Sequence, residues 1–470
     1  MMFIVNILLC LWYCLLPIIP LLPLALLIRR LYTTHSQNKH HFKAAAPCRF
    51  ILNGAQYADT RKNTHSPQTA RALPNRILQR VFGIENSFTT GDDSEARFLV
   101  NDVKDRIAES EEPRYWWGVM QVLYKVMLDV MKREEGKNGN ITDGDRVRLA
   151  LAPMVRALTL RVLLFVFFGV KPGSAVGLEQ LDRLAQALYS TRLAINKTEA
   201  ADDMEMLKFN DNDELWDALV DMIEALNEDE LNEVNLEDPR SNPLAVLLHP
   251  FEALWPVILR LFITIHCQGF HSDKEAWKAA LAGFIKEPTP MQFRMGSVNN
   301  PKDTVTVEHL VKEALRLYPS IPRVKRAFKL PTNRFCFEEY EYLTATANIE
   351  GCHLDGKIWG RDVREFRPSR WNKVSVVQNL SFLAFGSLPF LCPAADEGLD
   401  FGLRSIGLVV GALVDVFGDG ENEVLKCWLD TTDEQEALDL VRVRESKKLR
   451  NDLGAYEGVY VEYTWFEDLK

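Results

Sequence analysis

Between Met1 and Ile28 the chain carries no charged side chain, and Asn6 is the only strongly polar residue of that stretch. At 1.5 Å per residue even part of the run spans a hydrocarbon core. Arg29, Arg30, Lys39 and Lys43 follow it instead of preceding it. A secretory leader has its positive charge first, so this order predicts a retained single-pass anchor at 1–30 and a body on the cytosolic side. Pro17, Pro20 and Pro23 exclude a straight helix through its second half. The eight cysteines, at 10, 14, 48, 267, 336, 352, 392 and 427, show no Cys-x-x-Cys and no zinc spacing. A structural zinc site and, for a cytosolic body, a disulfide framework are thereby excluded. No Gly/Ser or Pro-rich linker and no internal repeat divides the remainder. Residues 31–50 therefore read as a basic juxtamembrane linker and 51–470 as one domain. Positive patches are missing too. Residues 201–240 hold 15 Asp and Glu against Lys208 and Arg240, more than the whole net charge of -10, so the rest is only slightly basic. Leu215, Leu219, Ile223 and Leu226 recur there at helical spacing, which marks a solvated helix face, and nothing points to nucleic acid.

What is present is material for one large core: 470 residues, 47% hydrophobic and 26% charged. In "VEHLVKEALRLYPS", Val307, Leu310, Val311, Ala314, Leu315 and Tyr318 share one helix face, and Pro319 stops the helix. Glu313 and Arg316 sit three apart on it and can pair. The spacing alone decides nothing, because Glu111 with Arg114 and Glu237 with Arg240 repeat it in Pro-containing loops. In "SFLAFGSLPFLCPA", Cys392 lies among Phe385, Phe390 and Leu391. A cysteine so placed is either an inert core residue or the thiolate ligand of a buried iron kept dry by apolar neighbours.

Three motifs in order favour the second. After Glu313-x-x-Arg316 comes Arg323 in "YPSIPRVKR", then Phe366, Pro368, Arg370 and Trp371 in "HLDGKIWGRDVREFRPSRW", and then the cysteine loop, 79 residues after Glu313. This order and spacing resemble the cytochrome P450 family, the haem-thiolate monooxygenases, from Pro243 to Phe417 and weakly back to "GIENSFTTGDDSEARF". The resemblance implies a mainly α fold with small β-sheets behind a single N-terminal membrane anchor. It implies haem b with Cys392 as iron ligand and Phe385 in the loop, and Glu313, Arg316 and Arg370 as a buried network holding that loop. Arg323 is implied as a haem-propionate partner, with Arg97 a second candidate. The final helix, through Leu403, Ile406, Val410, Leu413 and Phe417, is expected to aim its N-terminal dipole at the sulfur. Electrons are expected from NADPH through a cytochrome P450 reductase at the endoplasmic reticulum membrane. The expected substrate is a small lipophilic molecule, in the style of filamentous-fungal secondary metabolism.

The chain also departs from the pattern. Leu388 stands where the family's loop has Gly, Phe390 where it has Arg or His, and Ala394 where it has Gly. The family's acid-alcohol pair finds its best match in "HPFEALWPVILRLF", with Glu252 as the acid and Ala253 in place of Thr; Pro256 is expected to break or kink that helix. Three functions follow: a monooxygenase, a haem-thiolate isomerase or dehydratase that does not use O2, and a decayed member serving as a binding scaffold.

Overall fold

A computed structural model describes residues 41–57, 61–138, 146–201, 208–226, 234–267, 274–295, 305–331, 340–395, 399–417, 427–429, 448–449, 451 and 453–464. The expected anchor at 1–30 lies outside the described residues.

Chain order begins with β1 (His41–Phe42), α1 (Ala45–Asn53), β2 (Gln56–Tyr57), β3 (Arg61–Lys62) and α2 (Pro67–Phe82). Helices α3 (Asp93–Ala108) and α4 (Pro113–Asn138) follow, then β4 (Arg146–Ala150), α5 (Leu151–Phe168), α6 (Leu178–Ala201) and α7 (Asp213–Glu224). The central part holds α8 (Leu244–Cys267), α9 (Lys274–Lys286), α10 (Pro290–Arg294) and α11 (Val307–Leu317). Strands β5 (Arg323–Pro331) and β6 (Tyr340–Asn348) lead to α12 (Ile349–His353), α13 (Gly356–Trp359) and α14 (Val376–Ser381). The last elements are α15 (Phe401–Phe417), β7 (Cys427–Leu429) and β8 (Val459–Thr464). The fold is mostly helical with small sheets, ordered β1-β6-β5, β2-β3 and β4-β8-β7.

The core forms where apolar helices are buried all round. Helix α8 packs on α5, α11 and α15, and α15 packs also on α4 and α9. Helices α5 and α8 are long and apolar enough to cross a membrane, but their apolar windows are 83% and 72% buried inside the protein, so they act here as core. Contrary to expectation, α8 continues through Pro250 and Pro256. A proline removes one N–H from the ladder and strains the turn before it. Part of that strain is met from outside, since Ser320 donates its hydroxyl to the Ala253 carbonyl at 2.8 Å. A Cβ at Gly407 would fall 2.6 Å from Val307 Cγ1, so the glycine lets α15 lie directly against α11. In the acidic region, Leu215 and Leu219 are buried on α7, as their spacing predicts.

Residues 41–50, expected as linker, belong to the folded body. Strand β1 pairs in parallel with β6 through His41–Thr346 and Phe42–Ala347, and Cys48 and Ile51 of α1 are fully buried against the sheet. The apolar Cys48, Ile51 and Leu52 face explains it: α1 has a core of its own with Phe328, Ala345 and Cys352.

Candidate functional site

The helix expected to carry Glu313 and Arg316 forms as α11, opened by a capping box between Thr306 and His309. Both charged side chains are completely buried. Arg316 donates to both Glu313 oxygens, Nε to Oε2 at 2.9 Å and Nη2 to Oε1 at 2.8 Å. Arg370 adds Nε to Oε1 at 2.8 Å, the Arg367 N–H reaches the same oxygen at 3.0 Å, and Trp371 Nε1 donates to Oε2 at 3.1 Å. Burial alone would push the Glu313 carboxyl up; Arg316, Arg370 and the Arg367 N–H outweigh it and hold the group below the ordinary carboxylate range. The remaining guanidinium donors bind carbonyls of the segment that precedes the cysteine loop. Arg316 Nη1 binds His353 and Val363 at 3.1 and 2.7 Å, and Arg370 Nη1 binds Trp359 at 3.1 Å. Of the other two Glu-x-x-Arg matches, only Glu237–Arg240 is a loop, where Arg240 pairs with Glu85 at 3.3 Å; Glu111 ends a 3-10 turn and Arg114 opens α4, where it touches exposed Glu112 at 4.0 Å.

His353 joins this network to the cysteine loop, and the sequence reading missed it. Its carbonyl takes Arg316, and its Nε2 accepts the Leu383 N–H at 2.8 Å. That bond assigns the ring proton to Nδ1, which has no partner among the described residues. The ring stacks on Phe382, which lies edge-on to Trp371. Burial, with Arg316 nearby, pushes the imidazole down to about 3, so it is neutral.

The loop then closes on itself. Cys392 N–H donates to the Phe385 carbonyl at 2.9 Å, and Ala395 N–H to the Cys392 carbonyl at 3.0 Å. Leu388 does not hinder the turn. The left-handed residue is Gly386, at φ +82°, where a Cβ would meet the Phe390 carbonyl at 2.9 Å, while Leu388 points outward and is 72% exposed. Half-buried Cys392 has its thiol pushed up by burial, and the Ala394 N–H and Arg71 pull it back toward thiolate. The N–H facing the sulfur is thus that of Ala394, in the loop. The expected helix dipole is further away, because α15 starts only at Phe401.

The cations nearest the loop also differ from expectation. Arg323 is exposed at the start of β5, and Arg97 is exposed on α3 beside Asp92. In "RVKRAFKLP" the strand alternation puts Arg326, Phe328 and Leu330 on the inner face, so the buried arginine is Arg326. That period-2 pattern is readable in the sequence and was the signal to follow. Buried Arg71, from α2, joins it: the Arg71 and Arg326 Cζ atoms lie 4.8 and 5.4 Å from the Phe390 ring centroid. Arg71 also lies 3.9 Å over Phe88, whose ring stacks on His249 of α8 at 3.7 Å, so a column of flat groups runs from the loop to the central helix.

On that helix, Glu252 is not free for proton transfer. Both its oxygens are taken by Arg192 of α6, Nε to Oε1 at 2.5 Å and Nη2 to Oε2. Ala253 offers no hydroxyl. Thr264, the next alcohol on that face, is buried beside Tyr318, further along α8.

Residues 303–393, which include both the α11 network and Cys392, match the family model of cytochrome P450. Over that stretch the chain is similar to the cytochrome P450 family. A putative cytochrome P450 CYP13A7 of Caenorhabditis elegans is 41% identical over 86 residues, 18% of this chain and 16% of the relative. Cytochrome P450 52A8 of Candida tropicalis is 28% identical over 152 residues, 28% of each chain. The C. elegans putative cytochrome P450 cyp-13B1 is 28% identical over 189 residues, 36% of each. The match thus spans between about a sixth and a third of these relatives' length.

The residues around the loop fit the haem that this similarity implies. Cys392 is the thiol that would ligate iron, in a loop whose N–H and nearby arginine favour the thiolate. Arg326 Nε is buried without a hydrogen-bond partner, a donor suited to an anionic edge.

Proposed function

We propose that this chain is a haem-thiolate monooxygenase acting on a small lipophilic substrate. The observation that carries this reading is the placement of Cys392, on a loop closed by its N–H to the Phe385 carbonyl and tied through His353 to the buried Glu313 network. When bound, haem supplies the oxidising chemistry, which a thiolate ligand promotes. The chain's own work is to hold that loop, exclude water and supply protons. Electrons would come from NADPH through a cytochrome P450 reductase. The apolar run at 1–28 and the basic residues after it support a single-pass anchor in the endoplasmic reticulum membrane with a cytosolic body. A role in fungal secondary metabolism rests on general sequence style alone.

The test is ligation. Purified protein should bind one haem b and, reduced under CO, show the red-shifted Soret band of a thiolate ligand. Cys392→Ser should lose that band, while Cys352→Ser, whose sulfur lies in the α1 core cluster, should keep it. Identical spectra from wild type and Cys392→Ser would sink the proposal.

A second reading has its own observation. Glu252 is tied to Arg192 and position 253 lacks an alcohol, so the oxygen-facing helix carries no free acid-alcohol pair. A haem-thiolate isomerase or dehydratase needs none. Turnover of substrate at full rate without O2 or NADPH would select it over the monooxygenase.

A further inference from the structure

His249 of α8 belongs to neither the Glu313 network nor the cysteine loop. It sits one turn before Ala253, so the two share a helix face. Its ring stacks on Phe88, with the centroids 3.7 Å apart and 10° between the planes. Asn86 fixes the ring edge. The Asn86 Oδ1 accepts the Phe88 N–H at 2.9 Å and its Nδ2 donates to the Ala245 carbonyl at 3.0 Å, so the amide cannot be turned round. The group it presents to His249 is therefore a donor, and His249 Nδ1, at 3.5 Å, is the acceptor. This assigns the ring proton to Nε2. Nε2 has no hydrogen-bond partner among the described residues, and unlike His353 Nδ1 it is not enclosed. Burial, then Arg192 and Arg71, push the imidazole down to about 3, so it is neutral and keeps that proton. On α8, Val246, His249, Ala253 and Leu254 are half-buried whereas residues 257–265 are all buried, so this core helix has one stretch left uncovered. The polar atoms beside it are engaged: Arg192 takes both Glu252 oxygens, and Ser320 takes the Ala253 carbonyl.

We propose that His249 is a substrate-binding residue, whose Nε2–H donates a hydrogen bond to the carbonyl oxygen of a lipophilic substrate lying along α8. The inference deepens the monooxygenase reading and rests on it for the place of the substrate. A carbonyl suits the site better than a hydroxyl. A hydroxyl brings a proton that needs an acceptor of its own, and the Asn86 Oδ1, the Glu252 oxygens and the Ala253 carbonyl are already bonded. The stack on Phe88 and the Asn86 contact hold the ring in one orientation before any ligand arrives, so little side-chain freedom is lost on binding. One placed donor against an apolar wall is enough to orient an otherwise apolar molecule.

The experiment titrates the haem-loaded full chain with cyclododecanone, cyclododecanol and cyclododecane, three rings that differ only at one carbon, and follows the Soret band for each Kd. His249→Phe keeps a flat ring against Phe88 and removes the donor; His249→Gln supplies an amide donor in its place. The preference of wild type for the ketone over the hydrocarbon should fall about threefold to tenfold in His249→Phe, the worth of one neutral hydrogen bond, and should largely return in His249→Gln. Taking the same ratio in each variant cancels the different solubilities of the probes. The alcohol should gain less than the ketone, and an equal gain overturns the assignment to a carbonyl. An unchanged ratio in His249→Phe, or binding of none of the three, overturns the proposal and leaves the haem reading standing if the thiolate band is present. A wild type that takes up no haem removes that reading, and the proposal with it. If His249→Phe does not fold, nitrogen NMR of the reduced, CO-bound protein decides, with the signal assigned through His249→Gln: a neutral ring protonated at Nε2 is expected, and a proton on Nδ1 overturns the proposal.

Discussion

The two charged centres of this chain, some 80 residues apart in sequence, are built in opposite ways. Around Glu313 every charge is answered from within the chain: two arginines, a tryptophan N–H and a backbone N–H converge on one buried carboxylate. Around Cys392, among the described residues, two buried guanidiniums lie against one aromatic ring, and the thiol is pushed up by burial, only partly countered by the Ala394 N–H and Arg71. A complete network fixes one conformation. An incomplete one reserves space and charge for something the chain does not itself provide. The first centre is therefore read as scaffold and the second as site, with His353 as the residue that transmits the order of one to the other.

The largest expected effect breaks the complete centre. Arg316→Ala takes from Glu313 one of its two guanidiniums and leaves the His353 and Val363 carbonyls buried without that donor, and should cost roughly 3–5 kcal/mol of stability. Glu111→Ala, in the exposed copy of the same spacing, should fall within about 0.5 kcal/mol of wild type. Urea denaturation of the two variants measures the contrast. Equal midpoints would show that Glu313 and Arg316 act as an ordinary surface pair.

A smaller effect tests the link. His353 is fully buried, with a folded pKa of about 3 against an ordinary 6.5. A depressed histidine pKa means that the unfolded chain binds the extra proton first, so stability is lost as pH falls below 6.5 toward the folded value. From pH 7 to pH 5 this residue alone should remove about 2 kcal/mol, at about 1.4 kcal/mol per unit. Glu313 acts in the same direction at lower pH, since its stabilisation is lost as the pH falls through its depressed folded pKa. His353→Gln keeps an acceptor for the Leu383 N–H and removes the titration. It should flatten the slope of stability between pH 7 and 5, and an unchanged slope would place the acid sensitivity elsewhere.

These centres were legible in the sequence to different degrees, for physical reasons. Helix α11 has its apolar stripe at helical spacing and its charges on the helix itself, so Glu313 and Arg316 could be paired from the sequence, and Arg370 followed from motif order. Arg326 was equally legible but overlooked: a strand turns successive residues to opposite faces, and Arg323 and Arg326 are an odd number apart. The partner of Glu252 was not legible, because Arg192 approaches from a helix 60 residues earlier and no local periodicity signals such a pairing. The same holds for Arg71, whose function depends on where α2 lies against the loop. The glycine at 386 was in plain view, yet which loop residue turns left-handed is decided by the Cys392–Phe385 bond that closes it.

The smallest effect concerns α8, the helix proposed to face the oxygen site. Ala253 is half-buried at a point where its carbonyl is already satisfied by Ser320. Threonine there adds one methyl and one hydroxyl, and the cost in stability should stay below about 1 kcal/mol, the scale of a helix-propensity change. Its chemical consequence is larger than its structural one if the protein activates O2. A hydroxyl at 253 would stand one residue from Glu252, giving protons a carrier that α8 otherwise lacks near this point. In reconstituted turnover with a substrate free of hydroxyl groups, Ala253→Thr should lower the peroxide released per NADPH consumed. Arg192→Leu, which frees the Glu252 carboxylate, should act in the same direction and add to it. Tight coupling in the wild type, unchanged in both variants, would return Glu252 and Arg192 to the role of a simple clasp between α6 and α8. The proton path would then have to be sought on another element.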